Sequence, residues 1–454
     1  MQFDLLVKNG TVVSSTESFP ADVAVKDGKI TAILAPLSGA EAKTVVDATG
    51  KYIIPGIIDC HSHFREPGYP KRDNFWSGSR TAAIGGITTV FDMPNNVPAI
   101  DSKENFEMKR SMIEDKGSYV DYGLWGTVIG NDASNVEDLA KCGAIGYKIF
   151  IGQTFGALPS PEEGALYEIF QVIKNVNRRV GVHAEDRGFV EYFEKKFKAA
   201  GRIGYMDFDY ARGNTSEALA IARMAVMSGC VGNKMHIVHM STDEGRTIVK
   251  AAKQLGVDIT CETCPQYTFM TKDDFYKYGQ IIKVHPPVRT AKDCESMMEG
   301  LRNGDIDYLA SDSAAHEKEE KLKTVSLWDV PAGIHYNEHY ASVMLNEINK
   351  GRMTLSQYVR VSSEGPAKVW GMYPKKGAIM IGSDADMVVI DMNKEVTVDD
   401  TKSHYVQKFT IFDGQTFKGA AVCTILRGTI TAKDGEPVDS ANVGQFIDGN
   451  CFTK

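Results

Sequence analysis

Four short apolar runs of this chain end in side chains that can ligate a metal: His61 and His63 after the first, His183 and His239 after two later ones, and Asp312 after the last. Side chains two apart on a strand point the same way, so His61-x-His63 can present two imidazoles to one ion. Zn²⁺ and similar cations take imidazole and carboxylate ligands, and a catalytic site keeps a position open for water. Five protein ligands exceed what one open tetrahedral site needs, which favours two metals sharing a bridging group. Lys148 lies on another such run, but an unmodified ammonium repels cations. His236, three before His239, points away from it on a strand and reads as packing or as support behind the ligands. Cys261-x-x-Cys264 has no second pair and reads as structural, and Cys60 as a small buried apolar residue.

These residues need elements to position them. The apolar runs YIIPGIIDC, ITTVFDM, DYGLWGTVI, AIGYKIFI, RRVGVHA, KMHIVHM, VDITCET and IDYLASD read as eight strands. Helical stretches separate them, as in LYEIFQVIKNV, where Leu166, Ile169, Phe170, Ile173 and Val176 form an i, i+3, i+4, i+7 stripe. Eight βα units predict an α/β fold, a (β/α)8 TIM-like barrel with its chemistry at the C-terminal strand ends. No G-x-G-x-x-G follows any of the strands, which disfavours an open doubly wound sheet. The first fifty residues read as hairpins turning at Asn9-Gly10 and Asp27-Gly28, and the last ninety repeat that texture. Neither end can bury a core alone, so both are expected to build one small β-sandwich. The expected division is sandwich over 1–52, barrel over 53–365 and sandwich again over 366–454.

Composition excludes several classes. With 454 residues and 51 Lys plus Arg against 59 Asp plus Glu, net charge −8, the chain lacks the basic clustering that nucleic acid or an anionic membrane demands. No run approaches ~18 uninterrupted apolar residues, and the N-terminal stretch lacks a basic n-region and a long h-region. Eight cysteines, without disulfide-like spacing except at Cys261-x-x-Cys264, agree with a cytoplasmic protein, the expected location.

Read in order, IIPGIIDCHSHFREPG, GGITTVFDMPNN, GYKIFIG, GVHAEDRG, MHIVHMST, ETCPQY, PPVR, ASDSAAHEKEEK and PAKVWGMYPKKGAIMIGSDADMVVID resemble the cyclic amidohydrolases of the amidohydrolase superfamily: allantoinases, dihydroorotases and hydantoinases. The resemblance covers nearly the whole chain. It implies a barrel carrying two divalent metal ions, zinc first. Lys148 would be an N6-carboxylysine whose carbamate, formed from CO2, bridges them. His61 and His63 would bind one ion and His183 and His239 the other. Asp312 would be both ligand and catalytic residue, taking a proton from a metal-bridging hydroxide and passing it to the departing ring nitrogen. The expected partner is a small cyclic amide or ureide, opened to a carbamoyl or ureido acid, and relatives lead us to expect a homo-oligomer, tetramer or dimer.

Which ring is opened is harder to read. Arg65, Asn95 and His316 match positions that hold substrate in dihydroorotases, and a guanidinium fork suits a carboxylate. The Trp76-Ser77-Gly78 region, ETCPQY and GYKIFIG look more like allantoinase, the first choice. Dihydroorotase is the alternative. Hydantoinase or another lactam or imide hydrolase follows, because no Tyr stands in Gly152-Gln153-Thr154. Ser313 and His285 depart from the family pattern and are expected at the pocket, His285 as a substrate contact. For Arg65 a structural ion pair with Glu66 is the competing reading, and for Asn95 a simple turn. The stretch from His316 to Lys321 reads as a solvated loop or lid. A non-catalytic assembly relative is the reading from a different class, disfavoured because all six ligand positions are filled.

Overall fold

Gly56 is where the chain passes from one sheet into another. The computed structural model describes residues 2–36, 38–152, 158–439 and 441–452. The first apolar run, expected as one strand, is two. Tyr52–Pro55 pairs antiparallel with Met387–Thr397, whereas Ile57–His63 enters the central parallel sheets. A Cβ at Gly56 would lie 2.1 Å from Thr88 Oγ1, so only glycine lets the backbone turn this close to the next strand.

Strands from both chain ends are hydrogen-bonded into one nine-stranded sheet. The expected sandwich is thus a single continuous sheet by hydrogen bonding. Tyr52–Pro55 is the splice: one edge runs parallel to Phe3–Val13 and the other antiparallel to Met387–Thr397. The sheet has its own apolar cluster, including Val7, Val23, Val25, Ile53, Met387, Val389 and Ile425. Asp27-Gly28 is a two-residue hairpin turn, with φ +49° and +74° as a type I′ turn requires. Asn9-Gly10 is not a turn. It forms a bulge inside Phe3–Val13, where a Cβ at Gly10 would meet Ile53 at 2.7 Å.

The central strands are parallel and alternate with helices. One sheet runs Ser313–Ala314, Ile57–His63, Ile87–Asp92, Asp121–Leu124. The other runs Gly126–Thr127, Gly146–Phe150, Arg179–His183, Lys234–Ile237, Ile259–Thr263, Tyr308–Leu309. Trp125 alone separates the sheets at one junction, and residues 310–312 at the other. Backbone bonds continue across both: Trp125 N–H donates to Asp92 O at 3.2 Å, Ala310 N–H to Thr263 O at 3.0 Å and Asp312 N–H to His61 O at 2.9 Å. The helix Glu163–Asn175 buries Leu166, Ile169, Phe170 and Ile173 as its stripe requires. Each such side chain contributes roughly 1.5–3 kcal/mol over leaving it in water.

The stretch from His316 to Lys321 is solvated at Lys318 and Glu319, as expected, but it carries the short helix Lys318–Leu322 and is anchored from below. Lys321 and His316 are buried, Lys321 Nζ donates to the carbonyls of Lys283 and Gly333, and Lys283 Nζ returns to Leu327 O at 2.6 Å. Arg72 grips Glu320 through two bonds of 2.9 Å. Among the described residues no helix is long and apolar enough to cross a membrane.

Candidate metal centre

Strand alternation places His61 and His63 side by side at the end of Ile57–His63, ring centroids 5.3 Å apart. Both Nε2 atoms lie 3.2 Å from Asp312 Oδ1. Asp312 reaches them because its backbone leaves strand geometry, at φ +49°. Arg65 and His239, which line the same cavity, have φ of +61° and +40°. Left-handed backbone at a non-glycine costs on the order of 1–3 kcal/mol and persists where surrounding structure holds it, typically at functional sites.

His183 ends Arg179–His183, and His239 lies two residues beyond Lys234–Ile237 rather than on the strand itself. Their rings meet edge to face at 4.7 Å, with His183 Nδ1 2.9 Å from His239 Nε2. The His239 ring is also 5.3 Å from that of His61, which joins the two pairs. Lys148, in Gly146–Phe150, stands in the same wall, its Nζ 5.4 Å from the Phe150 ring centre. All six residues line one cavity of about 40 Å³, with Arg65, Asn95, His285, Ala332 and Gly333 also in its wall.

Burial lowers the pKa of all four imidazoles, leaving neutral rings with a lone pair to donate. The same burial brings the Lys148 amine down to about 8 and raises the Asp312 carboxyl. His239 Nδ1 is buried without a hydrogen-bond partner. His61, His63 and Asp312 offer three ligand atoms within 4.8 Å of one another. Imidazole and carboxylate donors in this number fit a divalent cation.

Sequence reading missed the residue that organises these donors. Glu262, wholly buried on Ile259–Thr263, accepts from His61 Nδ1 and from the His239 backbone N–H at 3.2 Å. Its other oxygen lies 3.1 Å from His236 Nε2. A carboxylate on His61 Nδ1 fixes the tautomer whose Nε2 is free to ligate. Burial alone would raise the Glu262 carboxyl, but His61 and His236 hold it below the ordinary range. His236 therefore stands behind the ligands, with its ring stacked on Tyr308 at 5.0 Å. Glu185 plays the matching part for His183, 2.8 Å from its Nε2, and Arg212, with His183, brings that carboxyl to about 2 against the effect of burial. The signal for Glu262 was a lone acid inside an apolar run.

The other expected contacts divide. Asn95 lies in the cavity wall, its Oδ1 buried without a hydrogen-bond partner. Arg65 Nε donates to Ala315 O at 3.0 Å rather than pairing with Glu66. His316 does not line the cavity. Its Nε2 lies 3.0 Å from Arg65 Nη2 and 2.8 Å from Ala332 O, behind the guanidinium. Ser313, expected at the pocket, instead accepts the Tyr336 N–H at 3.2 Å and is absent from the lining. Gln153 and Thr154 lie outside the described residues. Cys60, Cys261 and Cys264 are buried free thiols.

The Amidohydrolase family matches residues 52–431. The chain belongs to the amidohydrolase family. This amidohydrolase is 35% identical to an L-hydantoinase of Paenarthrobacter aurescens over 449 residues, 98% of each chain. It is 33% identical to an allantoinase of Rubrobacter xylanophilus, covering 98% of this chain and 97% of that one. Among solved structures, the L-hydantoinase (dihydropyrimidinase) from Arthrobacter aurescens superposes with a TM-score of 0.94 at 34% identity, covering 98% of this chain and all of that one. A D-hydantoinase from Thermus sp. gives 0.90 at 26%, covering 99% and 100%. The amidohydrolase is accordingly a metal-dependent enzyme that hydrolyses small cyclic amides.

Proposed function

We propose that the amidohydrolase opens a five-membered cyclic ureide, a hydantoin-type ring, with allantoin the first substrate to test. Allantoin is hydantoin bearing a ureido group at C5, so relatives named hydantoinase and allantoinase share one ring chemistry. This brings hydantoinase, ranked behind dihydroorotase from sequence, level with allantoinase. The observation that carries the reading is the meeting of four neutral imidazoles, Asp312 and Lys148 around one cavity.

We assign two divalent cations, zinc first, to His61 with His63 and to His183 with His239, Asp312 completing the set. Bound there, they supply Lewis acidity, lowering the pKa of water and polarising the scissile carbonyl. Lys148 fits the set as its N-carboxylated form. A buried amine at about 8 is neutral in a useful fraction near neutral pH, and that neutral form adds CO2 with loss of a proton. The carbamate then replaces a repelling ammonium by an anion. Asp312, its carboxyl raised by burial, takes the proton from attacking water and delivers it to the departing ring nitrogen. Glu262 and Glu185 keep His61 and His183 in the tautomers this requires.

Further parts of the reading rest on the same residues. The two central sheets are read as one closed (β/α)8 barrel, supported by the pairing of Ser313–Ala314 with Ile57–His63. The division into a terminal β domain over 1–52 and 366–454 and a barrel over 53–365 follows, with its first boundary better drawn at Gly56. A cytoplasmic homo-oligomer is proposed by likeness to the relatives. Dihydroorotate is the second reading, favoured by Arg65 in the cavity wall, whose guanidinium suits a carboxylate.

The test is ring opening by protein loaded with zinc and bicarbonate. Turnover of allantoin or 5-methylhydantoin, lost by about 100-fold or more in Asp312→Asn, is the expected result. Turnover of dihydroorotate alone would overturn the ring assignment.

A further inference from the structure

A second cavity, of about 240 Å³, opens at the end of the central strands away from the metal centre. Ile145 stands just before Gly146–Phe150, Arg178 just before Arg179–His183, and Arg179 and Lys234 open their own strands. The three strands are parallel, so these residues share one face, at the N-terminal strand ends. Arg179 precedes His183 by four residues, about 13 Å along an extended strand, which separates this cavity from the metal ligands.

Four cations line it, Arg178, Arg179, Lys234 and Lys368, and among the described residues no carboxylate does. The acids at its margin are engaged elsewhere. Asp258 pairs with Arg179 at 3.1 Å and Glu364 with Lys368 at 2.5 Å. Asp448, whose field reaches Arg178, accepts instead from the backbone N–H and the side-chain amide of Asn450, each at 2.8 Å. Arg178 is buried and fixed by carbonyls, its Nε donating to Ala144 O at 2.8 Å. Arg179 makes all its hydrogen bonds through Nη1, to Met235 O, Asp258 and Thr260. Its Nε and Nη2 have no acceptor among the described residues, although the side chain is only 11% exposed. Lys234 Nζ has none either.

Like charges gathered from separate strand starts repel one another, and an anion between them relieves that repulsion. A guanidinium with two open donor nitrogens beside an ammonium suits an oxyanion in particular. Phe91, Ile145 and Trp370 add apolar wall for the body of a small molecule. We propose that this cavity is a second ligand site, which takes a small molecule through a phosphate or carboxylate group held between Arg179 and Lys234.

The experiment is isothermal titration calorimetry of the metal-loaded protein with inorganic phosphate and, separately, succinate, at constant ionic strength. Wild type is compared with Lys234→Met and Lys234→Arg. An ion bound at the metal centre is blind to Lys234, so the variants isolate the second site. The Lys234 amine bonds nothing in the fold, and circular dichroism confirms that its variants are folded. The expected result is one saturable site whose Kd rises about tenfold or more in Lys234→Met and returns toward wild type in Lys234→Arg. Tighter binding of phosphate assigns the site to phosphate esters, and tighter binding of succinate to carboxylates. Absence of saturable binding by both ions overturns the proposal, and so does a Kd unchanged in Lys234→Met, which leaves the ions on the metals alone.

Discussion

Replacing Glu262 by Gln tests whether the ligands are arranged from behind. The substitution keeps the shape of the side chain but removes its charge and turns one acceptor oxygen into a donor. Glu262 serves the imidazoles of His61 and His236 and the backbone N–H of His239. A hydrogen bond to a charged group contributes roughly 1.5–3 kcal/mol and a neutral one roughly 0.5–1.5. Weakening two imidazole contacts by about 1–1.5 kcal/mol each therefore costs about 2–3 kcal/mol, or roughly 30- to 150-fold in metal affinity. The assay is titration of chelator-stripped protein with Zn²⁺ against a chromophoric competitor, with circular dichroism to confirm that the variant is folded. An affinity within about threefold of wild type would refute the reasoning. A large loss accompanied by unfolding is resolved with Glu262→Asp, which retains the charge and should bind more tightly than Glu262→Gln.

Three other outcomes are expected. Lys148→Ala should lower the bound-metal stoichiometry measured by elemental analysis and reduce kcat by about 100-fold or more; full metal content with full activity removes Lys148 from the set. Burial raises the Asp59 carboxyl to about 7, against about 3.9 in an unfolded chain, so the folded state binds this proton more tightly. The stability it contributes is complete below about pH 4 and is lost as pH rises through 7. Asp59→Asn should therefore compare more favourably with wild type in Tm at pH 8 than at pH 5, and equal differences at the two pH values contradict this. Lys321→Met leaves the Lys283 and Gly333 carbonyls without their buried donor, at about 1–3 kcal/mol. It should speed amide exchange across residues 316–333 while the central strands stay protected, and unchanged exchange there argues against the lysine clasp.

Period and punctuation carried much of the architecture. His61 and His63 could be paired from their two-residue spacing alone, because alternation is a property of one strand. Asp27-Gly28 was legible as a turn for the same local reason. Asn9-Gly10 carries an equivalent turn-forming pair but lies where Ile53 crosses, and the partner across the sheet decided for a bulge. Strand breaks at Trp125 and at residues 310–312 were equally hidden, since both follow from neighbours remote in sequence. Glu262 escaped notice because its meaning lies in three histidine groups on other segments. His316 and Ser313 are adjacent in sequence to the site, yet backbone direction sends His316 behind Arg65 and the Ser313 hydroxyl to Tyr336.

The splice between the chain ends has a consequence for biosynthesis. Ile54 pairs with Val388, more than 330 residues later. At roughly 5–20 residues per second, a ribosome takes on the order of 15–70 s to deliver the second strand after the first. Through that interval the first hairpins, with Leu5, Val7, Val23 and Val25 facing their own cluster, wait as an unfinished sheet with an open edge. The central βα units are made meanwhile, so the terminal sheet cannot be completed until the last strands have been synthesised.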